Sequence, residues 1–212
     1  MSRADTRIFV VDDDAKFSKS LARLVRSIGY DVELFASAKD FLEREPFEGP
    51  GCLLLDVRMP GLTGPDLQEE LNKRNISMPI IFLTAHADTP TGVKAMKDGA
   101  VDFLLKPIEE HALFEAIDNA LDKGAQLRKQ REEAEEAKRL VAALTPRERE
   151  TFRWLITGML NKQVARSLGI TERTVKAHRS KIMHKLDVVS VAELVRLAQK
   201  ADVSPARESP TL

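Results

Sequence analysis

Hydrophobic and polar positions follow two alternating periods along the first 121 residues. Stretches with apolar residues at helical spacing lie at 17–27, 38–44, 66–74, 91–98 and 111–121. Alternating with them are five short apolar runs typical of buried strands: IFVV at 8–11, VELF at 32–35, CLLL at 52–55, IIFL at 80–83 and VDFLL at 101–105. This alternation predicts an α/β fold with a doubly wound parallel sheet, (βα)5, whose ligand site lies at the carboxyl ends of the strands.

After residue 121 the pattern becomes helical throughout. The charge-rich segment 122–140 has one Gly and no Pro, so it is predicted to continue the preceding helix as a linker. Its apolar positions form only an irregular heptad repeat. This pattern favours a solvated spacer over a stable coiled coil, and both interpretations remain open.

A second domain is predicted to begin at LTPRE. Thr145 can cap a helix, Pro146 suits the first helical position, and Glu148 completes a capping box. Four helices are predicted near 146–157, 162–168, 172–186 and 190–200, followed by a polar, Pro-bearing end. The predicted organisation is therefore an α/β domain at 1–121, a helical linker at 122–143, an all-α four-helix domain at 144–201 and a disordered tail at 202–212.

Charge is unevenly distributed although the whole chain is neutral. Residues 1–121 hold 14 basic and 21 acidic residues, whereas residues 141–212 hold 13 and 7. The acidic part suits a cation and the basic part suits phosphate backbones. Cys52 is the only cysteine, so we interpret it as a buried strand residue. No apolar run approaches the roughly 20 residues that span a bilayer, and we expect a soluble cytoplasmic protein.

Three adjacent carboxylates, Asp12 to Asp14, follow the first predicted strand directly. Because like charges repel, this cluster indicates either a solvated strand end or a bound cation. A calcium-binding loop is excluded in practice, since the turn Gly and the distal Glu of that motif are missing. The ends of three other strands carry Asp56, Thr84 and Lys106.

These side chains, brought to one edge of a sheet, suit phosphoryl chemistry. Mg²⁺ prefers oxygen ligands and could take them from Asp13, Asp56 and a backbone carbonyl group. A carboxylate such as Asp56 can attack phosphorus to form an aspartyl-phosphate, while Lys106 neutralises oxygen atoms of the transferred group.

Four motifs resemble the receiver domain of two-component response regulators, and they occur in the same order. They are DDD at 12–14, LLLDVRMPGLTG at 53–64, FLTAHAD at 82–88 and FLLKP at 103–107. The resemblance implies that Asp56 is the phosphoacceptor. It also implies a cofactor, Mg²⁺, held by Asp12, Asp13, Asp56 and the carbonyl oxygen of Arg58.

The same resemblance assigns roles around the phosphoryl group. Thr84 and Lys106 would contact it, and Phe103 would change rotamer together with Thr84. Simple core packing remains the alternative for Phe103. Arg58 and His86 occupy positions that face the attacking water in such domains.

The basic part contains a second resemblance. The segment GMLNKQVARSLGITERTVKAHRSKIMHKLDV at 158–188 resembles the helix-turn-helix of LuxR-type regulators, so the whole chain is similar to the NarL/FixJ class. Gly169 permits the tight turn, and the helix after it fits a major groove. The alternative is that the basic side chains of this helix only form a solvent-exposed face. Candidate base-facing positions are Lys176, Ala177 and Ser180; candidate phosphate contacts are Asn161, Lys162, Thr171, Arg173, Thr174, Arg179 and Lys181.

Together the resemblances imply a phosphorylation-controlled transcription factor, not an enzyme beyond assisting its own phosphorylation and dephosphorylation. Its partners would be a sensor histidine kinase, double-stranded DNA, a second copy of the chain after phosphorylation, and RNA polymerase. The sequence leaves two alternatives. A phosphatase with an aspartate nucleophile would need an acid where Arg58 stands. A small-molecule-sensing LuxR-type regulator would need an apolar ligand pocket rather than a carboxylate cluster.

Overall fold

The computed structural model describes residues 5–85 and 89–207, with the backbone alone at 89–92. His86 and residues 208–212 therefore lie outside the described residues. The chain divides into two compact units, residues 1–128 and 129–212. Within the described ranges, no helix is long and apolar enough to cross a membrane.

The first unit contains a five-stranded parallel sheet in the order β2-β1-β3-β4-β5. Its strands are β1 (Arg7–Val11), β2 (Asp31–Phe35), β3 (Gly51–Asp56), β4 (Ile80–Thr84) and β5 (Asp102–Leu105). Its helices are α1 (Ala15–Ser27), α2 (Ala38–Glu43), α3 (Gly64–Lys73), α4 (Thr89–Lys97) and α5 (Glu110–Ala142). The strand order reverses between β1 and β3, which confirms the predicted doubly wound α/β fold.

Both faces of the sheet are buried because alternate side chains enter two different cores. Ile8 and Val10 join a core cluster with α1 and α5, whereas Phe9 and Val11 join one with α2 and α3. This double burial explains the continuous apolar runs. Cys52 lies within β3, where burial raises the pKa of its thiol to about 12, in agreement with its interpretation as a strand residue.

The second unit is built from helices, as predicted. The last turns of α5 precede α6 (Pro146–Leu155), α7 (Asn161–Leu168), α8 (Glu172–Lys185) and α9 (Val191–Lys200). Their core includes Phe152, Ile182 and Leu194, and a smaller cluster around Val164 and Val175 joins α7 to α8.

Helix α5 continues without interruption to Ala142, so the segment after residue 121 is helical. The division between the two units falls inside this helix, after Arg128. Ala137 and Val141 are buried in the core of the second unit. The end of the predicted linker is therefore part of that core rather than a solvated spacer, because its ragged apolar positions pack against the later helices.

Residues 202–207 do not fit the prediction of a disordered tail from residue 202. The Arg153 guanidinium of α6 donates to the carbonyl oxygen of Ser204 at 3.2 Å, and the Ala206 N–H donates to the Arg153 carbonyl oxygen at 2.9 Å. Val203 also packs against the core. Polar composition did not reveal this docking because the hydrogen-bonding partner lies far away in the sequence.

Thr145 and Glu148 form the predicted capping box of α6, with Pro146 in the first turn. The buried Glu148 carboxylate also accepts a hydrogen bond at 2.7 Å from Lys185, at the end of α8. The Lys185 and Thr145 hydrogen bonds together lower the pKa of Glu148 to about 2. One carboxylate thus connects the start of α6 to the end of α8.

We expect Glu148→Gln to remove an acid-sensitive part of the stability of the second unit. Folding lowers the pKa of Glu148 from 4.5 to about 2, so its stabilising effect is complete above pH 4.5 and is lost as pH falls toward 2. The wild type should therefore lose stability in this window more steeply than the variant. Thermal unfolding of the full chain, followed by the fluorescence of its single tryptophan, Trp154, measures this difference.

The exposed Glu150→Gln is the matched control, because this residue lies on the same helix and pairs with Arg147. It should keep the wild-type pH dependence. Identical slopes for wild type and Glu148→Gln between pH 4.5 and 2 would contradict the assignment.

Candidate functional site

Four strand ends bring the predicted site residues of the first unit together. Asp12 follows β1, Asp56 ends β3, Thr84 ends β4 and Lys106 follows β5. In the sheet register Asp56 pairs with Leu83, directly before Thr84. Since β1, β3, β4 and β5 are consecutive neighbours in the sheet, these residues meet at one edge.

The ammonium group of Lys106 joins two carboxylates at this edge. Its Nζ atom lies 2.6 Å from Asp12 Oδ2 and 2.7 Å from Asp56 Oδ1. The exposed fraction of the side chain is 18% for Lys106, 1% for Asp12 and 9% for Asp56. Burial opposes the charge on Lys106, but its hydrogen bonds to both carboxylates outweigh burial and raise its pKa.

The second oxygen of each carboxylate is held by the loop that follows it. Asp12 Oδ1 accepts a hydrogen bond from the Asp14 N–H at 2.9 Å, and Asp56 Oδ2 accepts one from the Arg58 N–H at 2.8 Å. Both carboxylates are therefore fixed in orientation. Burial raises the pKa of Asp12, and the Lys106 hydrogen bond offsets this only in part.

The three adjacent carboxylates of the sequence occupy three different environments. Asp12 is buried, whereas Asp13 and Asp14 are exposed. Asp14 caps α1, and its side chain accepts hydrogen bonds from the backbone N–H groups of Lys16 and Phe17. These bonds lower the pKa of Asp14. The third carboxylate thus has a structural role of its own, separate from any cation.

The charge and the donor atoms at the sheet edge are of the type that binds a hard divalent cation. Asp12 and Asp56 share one ammonium group, which leaves one net negative charge, and the available donors are all oxygen atoms, the ligand type that Mg²⁺ prefers. Across residues 5–85 and 89–207, however, no three His, Cys, Asp or Glu side chains lie close enough to form a metal-binding group. The ammonium group occupies the space between the two buried carboxylates.

The site includes supports that sequence reasoning missed. Gly64, at the start of α3, lies so close to β3 that a Cβ atom would sit 2.3 Å from the carbonyl oxygen of Asp56. A Cβ atom at that distance would displace the backbone of the carboxylate-bearing loop. Asp14 could have been found from its position before an amphipathic helix, where Asp is a preferred cap. For Gly64 no local signal exists, because the contact is with a distant strand.

Thr84 and Phe103 lie on adjacent strands. The Thr84 side chain is buried. The backbone carbonyl oxygen of Thr84 accepts a hydrogen bond from the Lys106 backbone N–H at 2.7 Å. Phe103 is half-buried, and its ring centroid lies 6.3 Å from that of Phe82. Beside them, α4 and β5 expose the large apolar residues Val93, Met96 and Leu105.

The second unit places the predicted DNA contacts on and beside α8. Gly169 has a φ of 65°, which allows the tight turn before α8, and Thr171 caps the helix. The buried Val175 faces α7, which leaves the opposite side of the helix exposed. The exposed residues are Lys162, Thr171, Arg173, Lys176, Ala177, Ser180 and Lys181; Asn161, Thr174 and Arg179 are partly exposed.

Several of these residues already have partners. Arg179 donates to the side-chain oxygen of Asn161 at 3.3 Å, which joins α8 to the start of α7. Lys176 lies 3.0 Å from the Glu172 carboxylate, an exposed pair that contributes little to stability. Thr174 donates its backbone N–H to the Thr171 hydroxyl at 3.1 Å. The two threonines thus serve first as the helix cap.

Comparison with known families decides the class of the chain. The family model described as a response regulator receiver domain matches residues 8–118, and that of bacterial regulatory proteins of the luxR family matches residues 142–198. The chain belongs to the response regulators. This response regulator is a transcription factor of a two-component system, with a histidine kinase and DNA as the partners that its two domains imply.

Similarity to full-length relatives supports the same conclusion. Nodulation protein W of Bradyrhizobium diazoefficiens is 42% identical over 197 residues, which cover 93% of this response regulator and 87% of the relative. The solved structure of response regulator StyR has a TM-score of 0.75 and 48% identity, covering 93% and 100% of the two chains. Full-length FixJ from B. japonicum has a TM-score of 0.57 and 41% identity, covering 94% and 98%. The predicted NarL/FixJ class is confirmed.

Proposed function

We propose that a sensor histidine kinase phosphorylates this response regulator on Asp56. The observation that carries the proposal is the ammonium group of Lys106 bridging Asp12 and Asp56 at the sheet edge. Asp56 is the better acceptor of the two carboxylates because it is the more exposed one and lies next to β4, which ends at Thr84.

Transfer of the phosphoryl group requires mainly that its negative charge is neutralised and that the reacting atoms are correctly positioned. An Asp56 carboxylate oxygen forms a bond to phosphorus while the phosphorus–nitrogen bond of the kinase's phosphohistidine breaks, and its electron pair stays on the imidazole. Lys106 neutralises oxygen atoms of the transferred group. We assign the Thr84 hydroxyl the role of hydrogen-bond donor to one of those oxygens. The receiver would also assist the later hydrolysis of its own aspartyl-phosphate.

We assign Mg²⁺ to the same edge, held by Asp12, Asp13, Asp56 and the carbonyl oxygen of Arg58. The net negative charge of the two buried carboxylates and their ammonium partner supports this assignment. When bound, Mg²⁺ supplies positive charge to the phosphoryl oxygens. Asp13 adds an exposed carboxylate directly after Asp12 in the chain, where a hydrated ion can reach it from solvent.

We expect Asp13→Asn to weaken Mg²⁺ binding by about tenfold or more, because it removes a charged ligand but keeps the side-chain volume. Titration calorimetry of the full chain with Mg²⁺ measures the effect. Asp14→Asn is the matched control, since Asn also caps helices and Asp14 points to the α1 backbone. Wild-type affinity in Asp13→Asn would place the metal elsewhere.

We propose that phosphorylation promotes homodimerisation through the face formed by α4, β5 and α5. Val93, Met96 and Leu105 expose 49%, 45% and 51% of their surfaces there, and exposed apolar patches commonly mark protein interfaces. We expect Thr84 and Phe103 to couple the phosphoacceptor edge to this side, since Thr84 lies opposite Leu105 in the sheet register and Phe103 is on the same strand as Leu105. Sedimentation at micromolar concentration should detect dimers only after phosphorylation. A fully phosphorylated chain that stayed monomeric would count against this face.

We propose that α8 reads DNA in the major groove, with Lys176, Ala177 and Ser180 toward base edges. RNA polymerase is the further partner that this role implies. The flanking polar residues would bind phosphates; they are Asn161, Lys162, Thr171, Arg173, Thr174, Arg179 and Lys181. Support comes from the exposed polar side of α8 and from the basic charge of residues 141–212.

Acetyl phosphate with Mg²⁺ tests the function directly. A response regulator of this kind should gain one acid-stable, hydroxylamine-labile phosphoryl group, seen by mass spectrometry of the intact chain. A phosphatase would instead turn the substrate over many times without retaining the label, and that outcome would overturn the proposal.

A further inference from the structure

Lys106 has a third neighbour besides its two carboxylates. Its Nζ atom lies over the ring of Phe17, 4.2 Å from the ring centroid. Phe17 is half-buried on the first turn of α1. A cation above the face of an aromatic ring is attracted by the negative charge of the ring's π-system, and the attraction grows when water is partly excluded. With 18% of its side chain exposed, Lys106 is in such a place.

The position of Phe17 is itself fixed by the acidic cluster. The Asp14 side chain accepts a hydrogen bond from the Phe17 backbone N–H at 3.1 Å, as the cap of α1. Asp12 contacts the same ammonium group directly. Two of the three adjacent carboxylates therefore act on Lys106, one directly and one through the ring of Phe17.

We propose that Phe17 is a positioning residue for phosphoryl transfer, which acts by holding the Lys106 ammonium group over the acceptor edge. This inference rests on the proposed function of Asp56. When the Asp56 oxygen becomes the bridging oxygen of the acyl phosphate, it loses its negative charge and accepts hydrogen bonds more weakly, so Lys106 loses part of one partner. The Phe17 ring and Asp12 then keep the ammonium group in reach of the phosphoryl oxygens.

The test compares the rate of phosphorylation by saturating acetyl phosphate among variants of the full chain. Phe17→Leu keeps an apolar side chain but removes the ring, and should lower the rate about threefold to tenfold. Its Mg²⁺ affinity should stay at the wild-type value, because the Phe17 ring lies over the ammonium group and offers no oxygen ligand. Phe17→Tyr keeps the ring and should restore the rate. Phe114→Leu is the matched control, since Phe114 packs at the edge of the same core cluster.

Fluorinated phenylalanines at position 17 make the test independent of packing. Each added fluorine withdraws electrons from the ring and weakens its attraction for a cation, with little change in size. The rate should fall stepwise with the number of fluorine atoms. A flat series, or an equal loss in Phe114→Leu, would overturn the role of Phe17. A wild type that gains no phosphoryl group would instead overturn the function of Asp56.

Discussion

Replacing Asp56 with Asn is expected to abolish phosphorylation while the fold stays intact. The amide has almost the same volume, but its oxygen is a far weaker nucleophile than a carboxylate oxygen. The first unit should be at least as stable as in the wild type, because Asp12 and Asp56 share a single ammonium group and the substitution removes one of the two charges. Mass spectrometry after treatment with acetyl phosphate measures the first effect, and chemical denaturation measures the second.

Asp122→Asn serves as the control for this experiment, since Asp122 is exposed on α5 and far from the sheet edge in sequence. It should incorporate phosphate like the wild type. Full labelling of Asp56→Asn would assign the acceptor to another residue. If Asp56→Asn lost both its fold and its labelling, the missing label would not identify the acceptor. Asp56→Glu keeps the carboxylate charge and lengthens the side chain, so a folded Asp56→Glu chain that is not labelled would assign the loss to the displaced nucleophile.

Substitutions on α8 are expected to separate base contacts from phosphate contacts. Lys176 lies in the second turn after the Thr171 cap, where a helix in the major groove reaches base edges. Lys176→Ala should therefore cost about 1–3 kcal/mol of binding free energy on the correct site and relax the sequence preference. Its exposed contact with Glu172 contributes little and should not mask this effect.

Arg179 and Lys181 are expected to behave differently from Lys176. Neutralising either one should weaken binding to every sequence about equally, and the slope of log affinity against log salt should fall by about one, because one counterion fewer is released. For Arg179→Ala a further small loss is expected, since this residue also donates to Asn161 on α7.

Binding isotherms for a specific and a scrambled duplex at several salt concentrations distinguish the two classes. Equal loss on both duplexes for Lys176→Ala would move Lys176 into the phosphate class. If Lys176, Arg179 and Lys181 could all be replaced without effect, α8 would not be the reading element.

Local patterns predicted much of the fold because they depend on neighbours in the sequence. Buried strands show as apolar runs, since both faces of a parallel sheet are covered. Thr145, Pro146 and Glu148 predicted the start of α6. This signal is also local, since a capping box is completed within one helical turn. Residues 202–207 depart from the predicted disordered tail because Ser204 and Ala206 hydrogen-bond to Arg153, which composition cannot reveal.

The sequence by itself determined the order of elements, the four motif-bearing strand ends and the basic helix-turn-helix, since each is a local arrangement of residue types. Only the tertiary structure decided which carboxylates at the sheet edge pair with the Lys106 ammonium group. It gave Asp12, Asp13 and Asp14 three different environments, and it placed the Lys106 ammonium group between Asp12, Asp56 and the ring of Phe17. Those contacts join residues from the loop after β1, from β3, from α1 and from the loop after β5. Distances between such distant segments follow from the sheet order and not from the spacing of residues along the chain.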